Sequence, residues 1–447
     1  MKKINKLIIA LFLLLSASTT YAQVNNVPVL ADSLTLSGIM NQVITNYPLL
    51  KKADKELIAI DAKIGLTKTA YLPNVDFSSS YTQVGPPNKI PFGKDAAGNV
   101  KYVQLFPDNI YNATFSVNEN VYDFGKTKNN IAFDVKNKEM VQLTVEQAKQ
   151  RLSMAVMSNF YGISFLQEAI RIKDDQLKNL NDHLQFVQKK VDTGSATKYD
   201  ILTTKVRISV IENAKTDLQT ALQIQVSQLN SFIGKPQSNN IVLKKEINVQ
   251  QLVPSVDSLC NVAFANRNEM KMAIKKEEIS KSRLDIIKVQ NNPSVNAFAS
   301  GGFKNGYLDN NMQDMASLNF AVGVGFKVPI FDANRSKYLK IQANADMEGN
   351  QQETELTRRS ITNEVVESRA NALSALKKVK QSELQLQQAS QAYELAEVNY
   401  KVGVITNLDL LDSYTSLSES KLALFKTKID YAVNIQRLKI ALGEKIY

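Results

Sequence analysis

The chain has 447 residues and a formal charge of +11, with acidic and basic side chains interspersed along its length. No clustered basic stripe stands out, so nucleic acid is excluded as a partner. A single cysteine, Cys260, and a single histidine, His183, leave no disulfide framework, no Cys/His metal site and few nucleophile-base pairs, so no catalytic residue, metal or cofactor is expected.

The N-terminus comes first. Lys2, Lys3 and Lys6 precede an apolar run from Leu7 to Leu15, and Thr20-Tyr21-Ala22 has the small residues of a cleavage site. Residues 1–22 therefore read as a secretory signal peptide and the mature chain as starting at Gln23. The apolar run is shorter than the ~20 residues that span a bilayer. No later stretch approaches a transmembrane helix, so any membrane insertion must use strands.

The rest is one unit written twice. The first repeat, 23–234, reads as a helix over 34–72, strands over 74–84 and 110–122, and helices over 124–193 and 197–234. A linker, 235–255, leads to the second repeat, 256–447: helix 256–292, strands 294–304 and 317–330, helices 333–402 and 406–443. Pro73 aligns with Pro293, Tyr122-Asp123 with Phe331-Asp332, and Gly234 with Gly443. The copies differ most in "GPPNKIPFGKDAAGN", which "NGYLDNNMQDM" replaces, and such an insertion marks a loop tip.

Within the strands, Phe320, Val322, Val324, Phe326 and Val328 alternate with Ala321, Gly323, Gly325 and Lys327. Tyr111, Ala113, Phe115 and Val117 alternate in the same way with Asn112, Thr114, Ser116 and Asn118. That period of two suits a membrane-crossing strand. Four strands cannot close on themselves and an open edge in lipid leaves backbone groups unpaired, so copies must share a barrel of eight or twelve strands.

Residues 126–192 contain no proline and only Gly162, enough for a helix of roughly 100 Å. From Leu152 to Val191 a heptad seam runs through them, interrupted by Asn159 and Lys173. His183 lies beside Leu184 in this pattern and reads as a surface histidine. The last helix carries two seams, one through Leu408, Leu411, Thr415, Ser418, Leu422, Phe425, Ile429 and Ala432, the other through Leu410, Tyr414, Leu417, Leu424, Tyr431, Ile435 and Leu438. Two seams roughly 110° apart suit a helix with neighbours on both flanks, as in a ring. Asp409, Asp412, Ser413, Ser416 and Glu419 form the leftover polar face.

Between the paired helices, "DTGSATKYD" is answered by "KVGVITNLD". Gly194 and Gly403 supply a left-handed residue, Thr197 and Thr406 cap the next helix, and Asp200 and Asp409 stand at its third position. Asp412 adds a second carboxylate one turn beyond Asp409, where the first copy has Thr203. "FGKT" at 124–127 imitates a phosphate-binding loop, but Asn120 stands where the pattern requires glycine and the second copy has Ala333-Asn334-Arg335.

These turns, with "NYP" at Asn46–Pro48, "YLPNV" at Tyr71–Val75, "VYDFGK" at Val121–Lys126 and "ALGEK" at Ala441–Lys445, make the chain resemble the TolC-like outer-membrane efflux family from about Leu34 to Gly443. The resemblance implies an α+β membrane protein. Three copies, a homotrimer, would form a 12-stranded β-barrel in outer-membrane lipid, continued by a 12-helix α-helical barrel in the periplasm. It also implies a passive channel, for efflux or type I secretion, that works with a periplasmic adaptor protein and an inner-membrane transporter. Carried over by position, Asp409 and Asp412 resemble an acidic entrance ring, and Tyr400 and Asp200 resemble members of the network that holds the tip shut. The turns of Gly194, Thr197, Gly403 and Thr406 resemble the adaptor-docking surface. Ile405 stands where some relatives place a tethering arginine. The other reading, a structural or adhesive trimeric coiled coil on a barrel anchor, predicts a seam facing a common axis and no polar interior face.

Overall fold

The computed structural model describes residues 34–87, 89–104, 107–237, 241, 243, 255–308 and 314–446. The signal peptide expected at 1–22 and most of the linker expected at 235–255 lie outside the described residues.

The chain starts with α1 (Leu36–Asn46) and α2 (Pro48–Lys68), which the sequence joins into one helix over 34–72. Pro48 explains the break: the residue before a proline is forced out of the helical region, and Tyr47 takes φ −65°, ψ 128°. A 3₁₀ turn, Thr69–Tyr71, follows instead of continued α-helix. Strand β1 (Asn74–Gln83), a hairpin of β2 (Lys89–Lys94) and β3 (Val100–Gln104), and β4 (Asn109–Tyr122) come next. The hairpin occupies the segment read as a bare loop tip. Two long helices complete the first copy: α3 (Lys126–Asp192), of 67 residues, and α4 (Lys198–Ile233).

The second copy repeats the order. The helix expected over 256–292 is α5 (Val256–Asn266) and α6 (Asn268–Val289), broken at Arg267, the counterpart of Tyr47. No proline enforces this break. Arg267 is buried and its guanidinium donates to Glu269 at 3.0 Å and Glu364 at 2.5 Å, while a Cβ on Gly443 would lie 2.7 Å from its backbone nitrogen. Charge pairing and a close backbone approach thus hold the same bend that proline enforces in the first copy. Strands β5 (Ser294–Leu308) and β6 (Asp314–Lys327) then lead to α7 (Arg335–Lys401), again of 67 residues, and α8 (Asn407–Ala441). β6 ends before the Val328 expected in it because Pro329 offers no N–H to a ladder.

The four long strands form one antiparallel sheet in the order β1-β4-β5-β6. Register sorts the side chains cleanly. Phe77 lies opposite Phe115, Tyr81 opposite Tyr111, Val117 opposite Ala299, and Ala299 opposite Val322, so one face is largely apolar, with Ser79 and Glu119 as polar members. Asn112, Thr114, Ser116, Ser300 and Asn319 share the other, with Phe298 as its aromatic exception. Among the described residues nothing covers the apolar face: Phe320 is 81% and Val322 78% exposed.

The buried core lies in the helices. Ile39, Met40 and Val43 of α1 pack on Val156, Met157, Phe160 and Ile163 of α3 and Leu229 of α4. A second cluster joins Leu259 and Ala263 to Val365 of α7 and Leu438 of α8, and a third, far along α3, joins Leu180 to Ile208, Leu411 and Leu417. Each residue from Leu152 to Val191 that the heptad pattern assigned to the seam is buried or half-buried. Asn159, one of its polar interruptions, donates its Nδ2 to Gln225 Oε1 at 2.8 Å, while its buried Oδ1 has no protein partner among the described residues. At about 1.5 Å per residue, α3 and α7 each carry the chain roughly 100 Å from the sheet to the turns at their far ends.

Candidate functional site at the helical tip

Each turn is built by local chemistry. Gly194 (φ +77°) and Gly403 (φ +81°) take the left-handed conformation that closes α3 and α7. Ser195 N–H donates back to Lys190 O at 2.7 Å, and Val404 N–H to Asn399 O at 2.9 Å. Thr197 then caps α4 and Thr406 caps α8, each in a reciprocal box. Asp200 Oδ2 accepts from Thr197 N–H at 2.9 Å, and Asp409 Oδ2 from Thr406 N–H at 2.9 Å. The Thr406 hydroxyl and N–H hold the Asp409 carboxyl below the usual carboxylate range.

One side chain fastens the two turns together. Asn407, the first residue of α8, is 4% exposed. Its Nδ2 donates toward Asp200 O at 3.2 Å, Thr204 Oγ1 at 3.2 Å and Thr203 Oγ1 at 3.3 Å, all in the first two turns of α4. Its Oδ1 accepts from His183 Nε2–H at 2.6 Å, so a single amide ties α8 to both α4 and α3. His183 is therefore not the surface residue expected from the sequence. It is half-buried, and burial pushes its pKa below the ordinary value, which Lys190 lowers further while the Asn407 bond and Asp200 oppose the shift.

Tyr400 completes the cluster. It is 6% exposed, its ring lies 5.3 Å from that of His183 and 6.2 Å from that of Phe186, and Lys190 Nζ sits 4.4 Å from its centroid. Lys190 Nζ also donates to Tyr400 O at 3.2 Å, a cation bound to both ring and carbonyl. Burial raises the Tyr400 pKa and Asp200 raises it further, keeping the phenol neutral. One turn deeper, Asn179 Nδ2 donates to Tyr414 Oη at 2.6 Å, and burial pushes the Tyr414 pKa up to about 12. A cleft of about 280 Å³ runs between these groups, lined by His183, Phe186, Tyr393, Glu397, Tyr400 and Tyr414 among others.

The acidic pair divides its work: Asp409 stands in the capping position expected of it, and Asp412 has a partner the sequence did not reveal. Asp409 is engaged in its cap, and Asp412 accepts from Arg207 of α4 at 2.5 Å while remaining 60% exposed. With Ile405 half-exposed in the second turn, the arginine that reaches this turn comes from α4 instead. Sequence reasoning singled out Gly194, Thr197, Asp200, Tyr400, Gly403, Thr406, Asp409 and Asp412 and missed Asn407, Lys190, Phe186 and Arg207. One signal was available: Asn407 is the counterpart of Lys198, so the repeat itself marks it as a departure.

At the opposite end of the long helices the phosphate-loop imitation is already filled. Asp123 accepts from Thr127 N–H at 2.6 Å and Gly125 N–H at 3.0 Å, so the protein's own carboxylate occupies the N-terminus of α3. Asp332 does the same for α7, and bonds from Ser336 and then Asn291 pull its pKa down to about 2. Among the described residues no cluster of His, Cys, Asp and Glu is placed to hold a metal ion, and no helix is long and apolar enough to cross a membrane.

The sequence profile of the family described as outer membrane efflux protein matches residues 39–235 and 259–444, both repeats almost from end to end. The chain belongs to the outer membrane efflux protein family. It is similar to the outer membrane protein TolC of Escherichia coli (strain K12), 19% identical over 423 residues that make up 93% of this chain and 83% of TolC. The toluene efflux pump outer membrane protein TtgC of Pseudomonas putida is 22% identical over 67% of this chain and 63% of its own. Among solved structures, the outer membrane protein VceC of Vibrio cholerae superimposes with a TM-score of 0.73 at 18% identity, covering 92% of this chain and 97% of VceC. The open state of the MtrE outer membrane channel of Neisseria gonorrhoeae gives 0.73 at 15% identity, covering 92% and 89%. The outer membrane efflux protein family consists of channels, not enzymes, and its members assemble as trimers that work with an adaptor and an inner-membrane pump. This chain is accordingly an outer-membrane channel of an efflux system, with its helical portion in the periplasm.

Proposed function

We propose that three copies of the chain close their sheets into a single 12-stranded barrel and their long helices into a 12-helix tunnel, giving a passive duct from a periplasmic adaptor and inner-membrane transporter to the exterior. The observation that carries this reading is the incompleteness of the sheet. Its apolar face is uncovered, and β1 and β6 are open edges running in opposite directions, so that β6 of one copy can pair antiparallel with β1 of the next. The two seams of α8 fit the same arrangement. Leu411 and Ile429 turn toward α3, while Tyr431 and Leu438 turn toward α7, leaving Asp409, Asp412, Ser416 and Glu419 exposed; Leu408, at the tip end of the first seam, is exposed as well. That polar face is what the adhesive coiled-coil reading lacks.

In this reading the tip is the gate. Asp409 and Asp412 face the entrance and favour cations, Asp200 and Tyr400 belong to the closing network, and the turns of Gly194, Thr197, Gly403 and Thr406 meet the adaptor. The support is their common position at the far end of α3 and α7, with Gly194, Thr197, Gly403, Thr406, Asp409 and Asp412 exposed and Asp200 and Tyr400 in the Asn407 cluster. The test is physical: purified in detergent, the full chain has the mass of three copies and inserts into planar bilayers as a conducting pore. A single copy that gives no current steps contradicts the proposal.

A further inference from the structure

The β2-β3 hairpin forms a sheet of its own, apart from the four long strands. It joins β1 to β4 at the end of the sheet remote from the helices, since β1 starts from α2 at Asn74 and β4 runs into α3 after Tyr122. Ile90 pairs with Val103 and Pro91 with Tyr102. An isolated two-stranded hairpin is marginal in water and needs a surface to pack on. This one keeps its apolar side chains largely outside: Phe92 is 70%, Tyr102 61% and Val100 46% exposed.

Its charges are sorted as well. Both carboxylates are used internally: Asp95 accepts from Ala97 N–H and Asn99 N–H, each at 2.9 Å, and Asp108 from Gln104 Nε2 at 2.9 Å. Lys89, Lys94 and Lys101 make no ion pair among the described residues. The hairpin therefore offers exposed aromatic area together with lysines that have no direct ion pair among the described residues and outnumber its carboxylates. Just before it, the rings of Tyr81 and Tyr111 lie 5.2 Å apart on the apolar face of the sheet. Paired aromatics at the end of a lipid-facing strand mark the level where hydrocarbon gives way to headgroups. The hairpin begins at that level.

We propose that the β2-β3 hairpin docks on the outer surface of the membrane, with Lys89, Lys94 and Lys101 against the phosphates of anionic lipid headgroups and Phe92 entering the boundary with the acyl chains. The proposal rests on the barrel placement of β1 and β4. Each lysine near an anionic surface shifts the docked-to-undocked ratio by about fivefold. Salt at 1 M, where the screening length is about 3 Å, weakens the attraction.

The chain contains no tryptophan, so one introduced indole reports its own surroundings. Full-length Phe92→Trp is reconstituted into vesicles of phosphatidylcholine alone or mixed with phosphatidylglycerol, and Tyr81→Trp serves as the reporter for β1. The expected result is a blue-shifted Phe92→Trp emission quenched by brominated lipid in the anionic vesicles. The shift is lost in phosphatidylcholine, in 1 M salt, and when Lys89→Gln, Lys94→Gln and Lys101→Gln are combined. A Phe92→Trp emission that stays water-like and iodide-quenched in both vesicles, while Tyr81→Trp is quenched by brominated lipid, overturns the docking. If Tyr81→Trp also escapes lipid quenching, the barrel placement fails and the docking with it.

Discussion

The two turns at the tip share their backbone and part company at the residue after the cap. Gly194 and Gly403, Thr197 and Thr406, and Asp200 and Asp409 form superimposable sets of bonds, yet Lys198 points into solvent whereas Asn407 is buried among four acceptor and donor groups of α3 and α4. The repeat supplies a sturdy hairpin twice; a one-residue departure from it supplies a fastening. Stability of each turn and the fastening of the two turns to each other are thus separate properties, which variants can pull apart.

The largest effect is expected at the fastening itself. Asn407→Ala strips His183 and the first two turns of α4 of their partner, and buried groups left unpaired cost about 1–3 kcal/mol in total stability of the closed contact. Hydrogen exchange should show loss of protection at the start of α4, with Lys198→Ala unchanged. Equal effects of the two variants would erase the contrast between the turns.

Acid should reach the same contact by another route. Because burial depresses the His183 pKa, the unfastened tip binds a proton more readily than the fastened one. The fastened form is undisturbed above the ordinary histidine value of 6.5 and loses stability as pH falls below it. Lys190 on α3 disfavours the charged ring, Asp200 on α4 favours it, and the neutral phenol of Tyr400 on α7 faces it. Channel opening that rises on acidification in the parent and not in His183→Gln is the expected outcome. An identical pH profile in both would assign the response to other groups.

The capping threonines give a smaller and symmetrical effect. Thr197→Ala and Thr406→Ala should each cost about 1 kcal/mol of helix stability, read as similar falls in thermal midpoint, because the two boxes are built alike. A much larger loss for Thr406→Ala would show that the cap and the Asn407 contact are coupled.

Smallest is the surface pair. Arg207→Gln should change stability by about 0–1 kcal/mol. It removes the cation that offsets Asp412, so single-channel selectivity should move toward cations, and Asp412→Asn should move it the other way. Selectivity unaffected by either variant would take Asp412 out of the entrance.

Much of this architecture is legible in the sequence because it is repetitive. Periods of two and three and a half, doubled at a constant offset, locate the strands, the long helices and the turns to within a few residues. The bends at Tyr47 and Arg267 were less legible. The first follows from Pro48, but the second depends on a buried guanidinium reaching Glu364, nearly a hundred positions away, and no local pattern announces it. The hairpin at 89–104 is short and rich in Gly and Pro, so its alternation is lost among turn signals. At the tip, capping chemistry is local and was readable. The Asn407, His183 and Arg207 contacts join residues more than 200 apart, and polar residues beside a seam look like ordinary surface until the helices are packed.

In the proposed pore of several copies, the protein's own side chains close the tip. Single-channel recording of the full chain in planar bilayers, beside Asn407→Ala, tests this directly. The parent should give small conductance steps and Asn407→Ala larger ones from a complex of the same mass. Steps of equal size in the two proteins would contradict it.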